Sequence, residues 1–141
     1  MDLEKLRSEL RRDEGIRLRA YTCSAGHRTI GYGHNLSSRG LDHLKACTLE
    51  QAKAWLEQDI IEAGKIAKKL FPTFSELSDA RQRVIVNMAF CLGWNLSQFN
   101  MLRLAVTRRD WVWAAGEILD SAFARQTGDR AKRLAQMMRE G

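Results

Sequence analysis

The chain has 141 residues, of which 45% are hydrophobic and 28% are charged, and 23 Lys and Arg against 17 Asp and Glu give a net charge of +6. This length and balance predict a globular protein with enough apolar material for a core that needs no disulfides and no structural metal. A basic surface favours polyanionic partners and, taken alone, suggests nucleic acid before anionic lipid or a bacterial wall.

The number of cysteines and the charge of the first residues indicate the compartment in which the protein folds. Cys23, Cys47 and Cys91 are an odd number at spacings unlike those of metal sites. A disulfide framework is therefore not expected, and Cys47 and Cys91 are interpreted as buried small residues. The chain is charged from Asp2 onward, so we expect neither a signal peptide nor a membrane anchor.

The first third of the chain predicts a helix followed by a β-hairpin. Leucines at helical spacing predict a short amphipathic helix over residues 2–12. An alternating run at 16–21, a turn, and a second extended run at 29–34 predict the hairpin. Gly31 and Gly33 within the second run indicate a bend or a close approach of another part of the chain.

The remainder predicts helices. Residues 35–40 are interpreted as a polar loop, and Thr48 with Gln51 three residues later has the pattern of a capping box. It opens a helix to about Leu70, roughly 30 Å long at about 1.5 Å per residue, which is long enough to connect two lobes. Four further helices are predicted over residues 76–92, 98–107, 110–123 and 129–140.

A specific motif lies in the predicted hairpin. Residues 14–21 read EGIRLRAY and residues 29–34 read TIGYGH. Glu14, Cys23 and Thr29 have the spacing of a Glu, eight residues, an Asp or Cys, five residues and a Thr. This pattern resembles the signature of the phage-type lysozymes, glycoside hydrolase family 24, and the resemblance extends over nearly the whole chain.

The resemblance and the predicted elements together give an α+β fold of the lysozyme-like class. It has a small N-terminal lobe with a β-hairpin or short sheet, a long inter-lobe helix, and a helical C-terminal lobe. The chain is then a single domain, 1–141, with the N-terminal lobe at about 13–60 and the C-terminal lobe at about 61–141. The first helix, 2–12, is expected to pack on the C-terminal lobe.

The resemblance also implies a reaction, hydrolysis of the β-1,4 bond between N-acetylmuramic acid and N-acetylglucosamine. Such cleavage needs a proton donor for the leaving oxygen and a group that supplies or steadies the nucleophile. Glu14 is expected to be the acid, Cys23 to take the place of the more familiar Asp, and Thr29 to position water. An ordinary thiol is mostly neutral at pH 7. Either cations such as Arg28 lower the pKa of Cys23, or Cys23 acts as a nucleophile or weak base.

Other positions receive roles only from the resemblance. His34 is expected to form a structural ion pair with Asp59, and Arg130 is expected to reach back to Glu14. The family's substrate-groove positions correspond here to Asn35, Phe90 and Glu117. No metal and no organic cofactor is implied.

The resemblance implies bacterial peptidoglycan as the partner and host lysis as the role, with a holin opening the path from the host cytoplasm to the periplasm and wall. A monomer is expected, and nucleic acid is not expected as a partner. Three alternatives remain open. They are a wall-binding module whose activity is impaired by Cys23, a basic helical nucleic-acid-binding protein, and a lytic transglycosylase that leaves anhydro-muramic ends.

Overall fold

The computed structural model describes residues 1–141 and confirms the α+β class, with seven α-helices and one small antiparallel sheet. None of the helices combines the length and the apolar character needed to cross a membrane. Short 3-10 helices cover Ser37–Arg39, Phe74–Glu76 and Gly93–Gln98. In chain order the main elements are α1 (Leu3–Glu14), β1 (Arg17–Thr22), β2 (Arg28–Gly31), β3 (His34–Asn35), α2 (Leu49–Leu70), α3 (Asp79–Leu92), α4 (Asn100–Thr107), α5 (Trp111–Leu119), α6 (Ala122–Thr127) and α7 (Asp129–Glu140).

The backbone divides into two compact units. The N-terminal unit is Leu3–Ile61, and the C-terminal unit comprises Met1–Asp2 and Glu62–Gly141. Helix α2 starts in the first unit and continues into the second, while α1 belongs to the N-terminal unit. The expected packing of the first helix on the helical lobe stays a prediction.

The sheet of the N-terminal unit has three strands in the order β1-β2-β3. Tyr21 lies opposite Thr29, and Thr29 lies opposite Asn35, so these three residues form one row across the sheet. The extended run predicted over 29–34 bends at its glycines, because the chain turns after Gly31 and returns as β3. A third short strand therefore extends the predicted hairpin.

Gly31 shows why that turn needs glycine. Its φ of +65° is a left-handed conformation that side chains disfavour. A Cβ atom placed on it would lie 3.2 Å from the Cβ of Ala52 on α2, tighter than ordinary van der Waals contact. The close approach predicted from the two glycines is confirmed here, because the strand packs directly against the helix.

Helix α2 begins with the predicted capping box. The Gln51 N–H donates to the Thr48 hydroxyl at 3.1 Å, and the Thr48 N–H donates to the Gln51 side-chain oxygen at 2.9 Å. Both bonds satisfy amide groups that the first helical turn leaves without partners. The apolar residues that α1, the sheet and the start of α2 bury in this unit are Leu6, Leu10, Ile30, Leu36, Ala52, Leu56 and Ile60.

The C-terminal unit differs from the predicted helices at two places. Helix α3 begins at Asp79, after the Ser78 hydroxyl caps it by accepting from the Arg81 N–H. The predicted helix over 110–123 is wrong, because it breaks between α5 and α6. Ser121 there adopts an extended backbone, and its hydroxyl accepts from the Ala124 N–H at 3.1 Å. The serine side chain replaces a helical backbone hydrogen bond with this cap and so favours a break in the helix. A hydrophobic pattern does not reveal such a break.

Candidate active site

Glu14 is the last residue of α1, and the chain leaves the helix directly after it. The N–H of Gly15 donates to the carbonyl of Arg11 at 2.9 Å, which closes the final turn. The Glu14 side chain is half-buried, and its carboxyl group lies against the backbone of Gly33. A Cβ atom built on Gly33 would collide with a carboxylate oxygen and lie 2.8 Å from the carboxyl carbon. The carboxyl group therefore occupies the space that the missing side chain leaves.

Cys23 and Thr29 face each other across the turn that connects β1 and β2. The Cys23 N–H donates to the carbonyl of His27 at 2.8 Å, which fixes the turn. Thr29 is 5% exposed, and its hydroxyl donates to the same carbonyl at 2.9 Å. The Thr29 side chain also hydrogen-bonds with the Cys23 thiol. The structure thus brings two of the three expected catalytic side chains into direct contact.

The turn changes the acidity of the Cys23 thiol. Burial is the largest single influence and raises the pKa, but hydrogen bonds to the sulfur outweigh it and leave the pKa below the ordinary 9.0. These bonds come from the His27, Ala25 and Cys23 backbone and from the Thr29 side chain. Arg28, the cation expected to do this, is not among the causes. The effect of backbone amides on the pKa of Cys23 could not be predicted from the charged residues near it in the sequence.

The other two cysteines provide a comparison. All three are free, and Cys23 and Cys47 are both half-buried. Burial alone raises the pKa of Cys47. The interpretation of Cys91 as a buried small residue is wrong, because Cys91 is exposed.

We expect Cys23 to react with iodoacetamide faster than Cys47 at pH 7. The thiolate is the nucleophile, and a lowered pKa increases its fraction at any pH below that value. The measurement compares a C47S/C91S variant with a C23S/C91S variant by mass spectrometry across pH. The midpoint of the rate should lie at lower pH for Cys23. A midpoint for Cys23 at or above that of Cys47 would show that the turn does not stabilise the thiolate.

Tyr21 is a site residue to which the sequence assigned no role. It lies opposite Thr29 in the sheet, and the guanidinium carbon of Arg17 stands 4.5 Å from the centre of its ring. Burial raises the pKa of Tyr21, the charges of Glu14 and Cys23 raise it further, and Arg17 opposes them.

Asn35 completes the row of Tyr21 and Thr29. Its side-chain oxygen accepts from the Ser38 N–H, in the 3-10 helix Ser37–Arg39, at 3.1 Å. The loop predicted over 35–40 therefore contains a defined turn. The expected contact of Asn35 with substrate stays a prediction.

His34 lies beside Asp59, the partner that the resemblance implies. Its Nδ1 is 2.7 Å from one carboxylate oxygen, and the other oxygen accepts from Arg39 at 2.6 Å. The imidazole is 1% exposed and stacks on the Trp55 ring, with 4.6 Å between the centroids. Because a carboxylate only accepts, Nδ1 carries a hydrogen. The structural role expected for His34 stays a prediction, and Arg39 and Trp55 are neighbours that the sequence did not single out.

Three expected site residues lie in the C-terminal unit. Phe90 is half-buried on α3, and Glu117 on α5 accepts from the indole N–H of Trp113 at 3.1 Å. Arg130 is buried and donates through Nε to the Asn87 side chain at 2.9 Å. The roles of Phe90 and Glu117 in substrate binding stay predictions, as does the contact of Arg130 with Glu14.

The arrangement of acidic and sulfur-bearing side chains bears on metal binding. No group of three or more His, Cys, Asp or Glu side chains is placed to hold a metal ion. What the site of the N-terminal unit offers is a carboxyl group, a thiol of lowered pKa and a hydroxyl. These are groups for moving protons and holding water.

Known proteins resemble the chain over most of its length. A central spike protein of Enterobacteria phage T4, described as pre-baseplate, is 28% identical over 94% of this chain, which spans only 27% of that protein. An endolysin of Acyrthosiphon pisum secondary endosymbiont phage 1 is 29% identical, covering 86% of this chain and 80% of the endolysin. A probable T4-type lysozyme of Dictyostelium discoideum is 24% identical, covering 99% and 96%.

The family comparison agrees with these relatives. The model of the phage lysozyme family matches residues 11–138, which include Glu14, Cys23, Thr29 and the whole sheet. This span is most of the chain. The protein belongs to the phage lysozyme family.

Proposed function

We propose that this lysozyme-like protein is an endolysin that hydrolyses the β-1,4 bond between N-acetylmuramic acid and N-acetylglucosamine in peptidoglycan. Two observations support the proposal: the Glu14 carboxyl group lies against Gly33 at the end of α1, and Cys23 and Thr29 bind the same His27 carbonyl in the β-turn. Glu14 is the acid, because its carboxyl group is half-buried and seated against Gly33. A carboxyl group is a residue type that can donate the proton which the leaving oxygen requires.

Thr29 is suited to hold the attacking water. Its hydroxyl has a single hydrogen, which it gives to the carbonyl of His27. The hydroxyl oxygen then accepts, from a water molecule or from the S–H of Cys23. Once the thiol is ionised, the same hydroxyl can turn and donate to the sulfur. Cys23 thus takes the position of the base or of the charge stabiliser, next to the water that attacks the sugar.

Product analysis tests this proposal. Purified peptidoglycan digested by the protein should give fragments with reducing N-acetylmuramic acid ends, which borohydride reduces with a mass gain of two hydrogens. Fragments that end in anhydro-muramic acid would identify a lytic transglycosylase instead. No release of fragments at any pH, together with binding to intact sacculi, would leave only the impaired wall-binding module.

The proposed place of action rests on the family resemblance. The enzyme would act as a monomer, made in the host cytoplasm, and reach the wall after a holin opens the membrane. The net charge of +6 would favour adhesion to anionic wall polymers. Co-expression with a holin in a Gram-negative host should cause lysis, while expression of either protein alone should not. Lysis without the holin would contradict this route.

One comparison favours a second role. The chain resembles about a quarter of the T4 central spike protein, so a segment similar to this chain also occurs within a longer phage protein. A wall-cutting part of a phage particle would bind other particle proteins, whereas a free endolysin would not. If the chain is a free monomeric enzyme, light scattering of the purified chain should give a mass near 16.1 kDa.

A further inference from the structure

We propose that strand β1, with Ile16 before it and the segment 45–49 beside it, forms a lipid-docking surface for bilayers that contain anionic phospholipid such as phosphatidylglycerol. The binding is peripheral, with cations at the phosphates and apolar side chains at the boundary of the acyl chains. All of these residues belong to the N-terminal unit. Lipid binding is measured without peptidoglycan, so this inference does not depend on the proposed reaction.

The backbone places the segment 45–49 alongside β1. The Cys47 N–H donates to the carbonyl of Leu18 at 2.8 Å, and Arg19 forms an antiparallel bridge with Ala46. Strand β2 pairs with the opposite edge of β1. Both edges of the strand therefore have backbone neighbours, and the side chains are what this region offers to a partner.

Side chains of this region are exposed although several of them are apolar. The four consecutive residues 16–19 are all exposed. Ile16 is 44% exposed, Leu18 is 42% exposed, and Leu49 is 41% exposed. A strand of an antiparallel sheet usually buries one of its two faces against a core. Consecutive exposure that includes two large apolar side chains therefore leaves apolar area that the protein itself does not cover.

The same region concentrates the positive charge of the chain. Residues 15–48 contain five Lys and Arg against the single acid Asp42, which gives +4 of the total of +6. Arg17, Arg19 and Lys45 are exposed, and none of them forms an ion pair with a carboxylate. Like charges close together repel each other, so an anionic partner would stabilise this arrangement.

The combination of cations and apolar side chains favours a bilayer over a soluble polyanion. A hydrated phosphate polymer would neutralise the cations, but it has no apolar layer for Ile16 and Leu18. At a bilayer surface, each Arg or Lys gains from the potential of the anionic headgroups, while apolar side chains enter the acyl boundary. The methylene stem of Arg19 can lie along that boundary with its guanidinium at a phosphate. An anionic bilayer therefore satisfies both kinds of side chain.

Co-sedimentation with lipid vesicles tests the charged part. Wild type should bind vesicles that contain phosphatidylglycerol and should not bind vesicles of phosphatidylcholine alone. The variant R17Q/R19Q/K45Q should lower the partition coefficient about a hundredfold, since three cations near the anionic surface are lost. The matched control K65Q/K68Q/K69Q removes as many charges from exposed lysines of α2 and should keep most of the binding.

Two further variants guard against indirect effects. R19Q/K45Q leaves the Arg17 guanidinium over the Tyr21 ring, and it should still weaken vesicle binding about thirtyfold. I16S/L18S should weaken vesicle binding about tenfold through lost apolar contact, with binding to soluble polyphosphate unchanged. Both apolar side chains are already exposed, so serine should cost little in packing. Thermal unfolding followed by circular dichroism checks that each variant is folded.

The outcomes separate this inference from the proposed function. Equal loss of vesicle binding in R17Q/R19Q/K45Q and K65Q/K68Q/K69Q would show that only net charge matters and would overturn the docking surface. Unchanged vesicle binding by I16S/L18S would also overturn it and would indicate a soluble polyanion as the partner. If wild type binds the vesicles as expected but releases no fragments from peptidoglycan, the proposed function fails and the docking surface stands.

Discussion

Replacing Glu14 with glutamine is expected to lower the rate of peptidoglycan hydrolysis by about a thousandfold, within the range of roughly 10² to 10⁴ that a general acid contributes. Glutamine has nearly the same shape and fits against Gly33 as the carboxyl group does, but it has no proton to give. The loss should therefore appear in kcat, with KM and the unfolding temperature nearly unchanged. Release of reducing ends from purified sacculi, followed over time, is the measurement.

Glu4→Gln is the matched control for this experiment. Glu4 lies on the same helix, is 77% exposed at its side chain, and forms an ion pair with Arg7 three residues away. It should hydrolyse the wall at the wild-type rate. Equal activity of the wild type and Glu14→Gln would end the assignment of Glu14 as the acid.

Replacing Gly33 with alanine is expected to reduce activity about a hundredfold, since small displacements of catalytic groups can cost this much. The new methyl group would stand where the carboxyl group of Glu14 now lies, so Glu14 must leave its position. The variant also has to hold an alanine at a φ of +66°, at a cost of about 1 kcal/mol in stability. Initial rates and chemical denaturation measure the two effects separately.

Gly40→Ala separates strain from collision. Gly40 has a φ of +68°, but no atom lies within 4 Å of a Cβ built on it. This variant should lose a similar amount of stability and keep its activity. If Gly33→Ala and Gly40→Ala lose activity equally, strain in the backbone is the cause and the seating of Glu14 against Gly33 does not matter.

The sequence predicted much of this site because its signals are local. Glu14 precedes a hairpin, and a fixed spacing carries Cys23 and Thr29 to the turn and the returning strand, so chain connectivity alone brings them near each other. Gly33 was also recognised as a place of close approach. What approaches it, the carboxyl group of Glu14, could not be predicted, because that contact depends on how the helix end meets the turn.

Other features depend on the folded backbone or on a single residue, and a hydrophobic pattern does not reveal them. Asp59 binds both His34 and Arg39, and only folding brings α2 to that loop. The cause of the lowered pKa of Cys23 lies in backbone amides, which have no sequence signature. The break before α6 is local, but a single serine cap competes there with a strong apolar pattern, and the cap prevails.

The two contacts of the Asp59 carboxylate limit which substitutions the sequence can accept during evolution. One carboxylate serves a strand through His34 and a loop through Arg39, so neither partner can be exchanged without altering the surroundings of the other. Descendants that lose the arginine would need a new donor for the oxygen it leaves. Inheritance should therefore preserve these three positions together, or replace them together, while exposed neighbours in the loop vary freely.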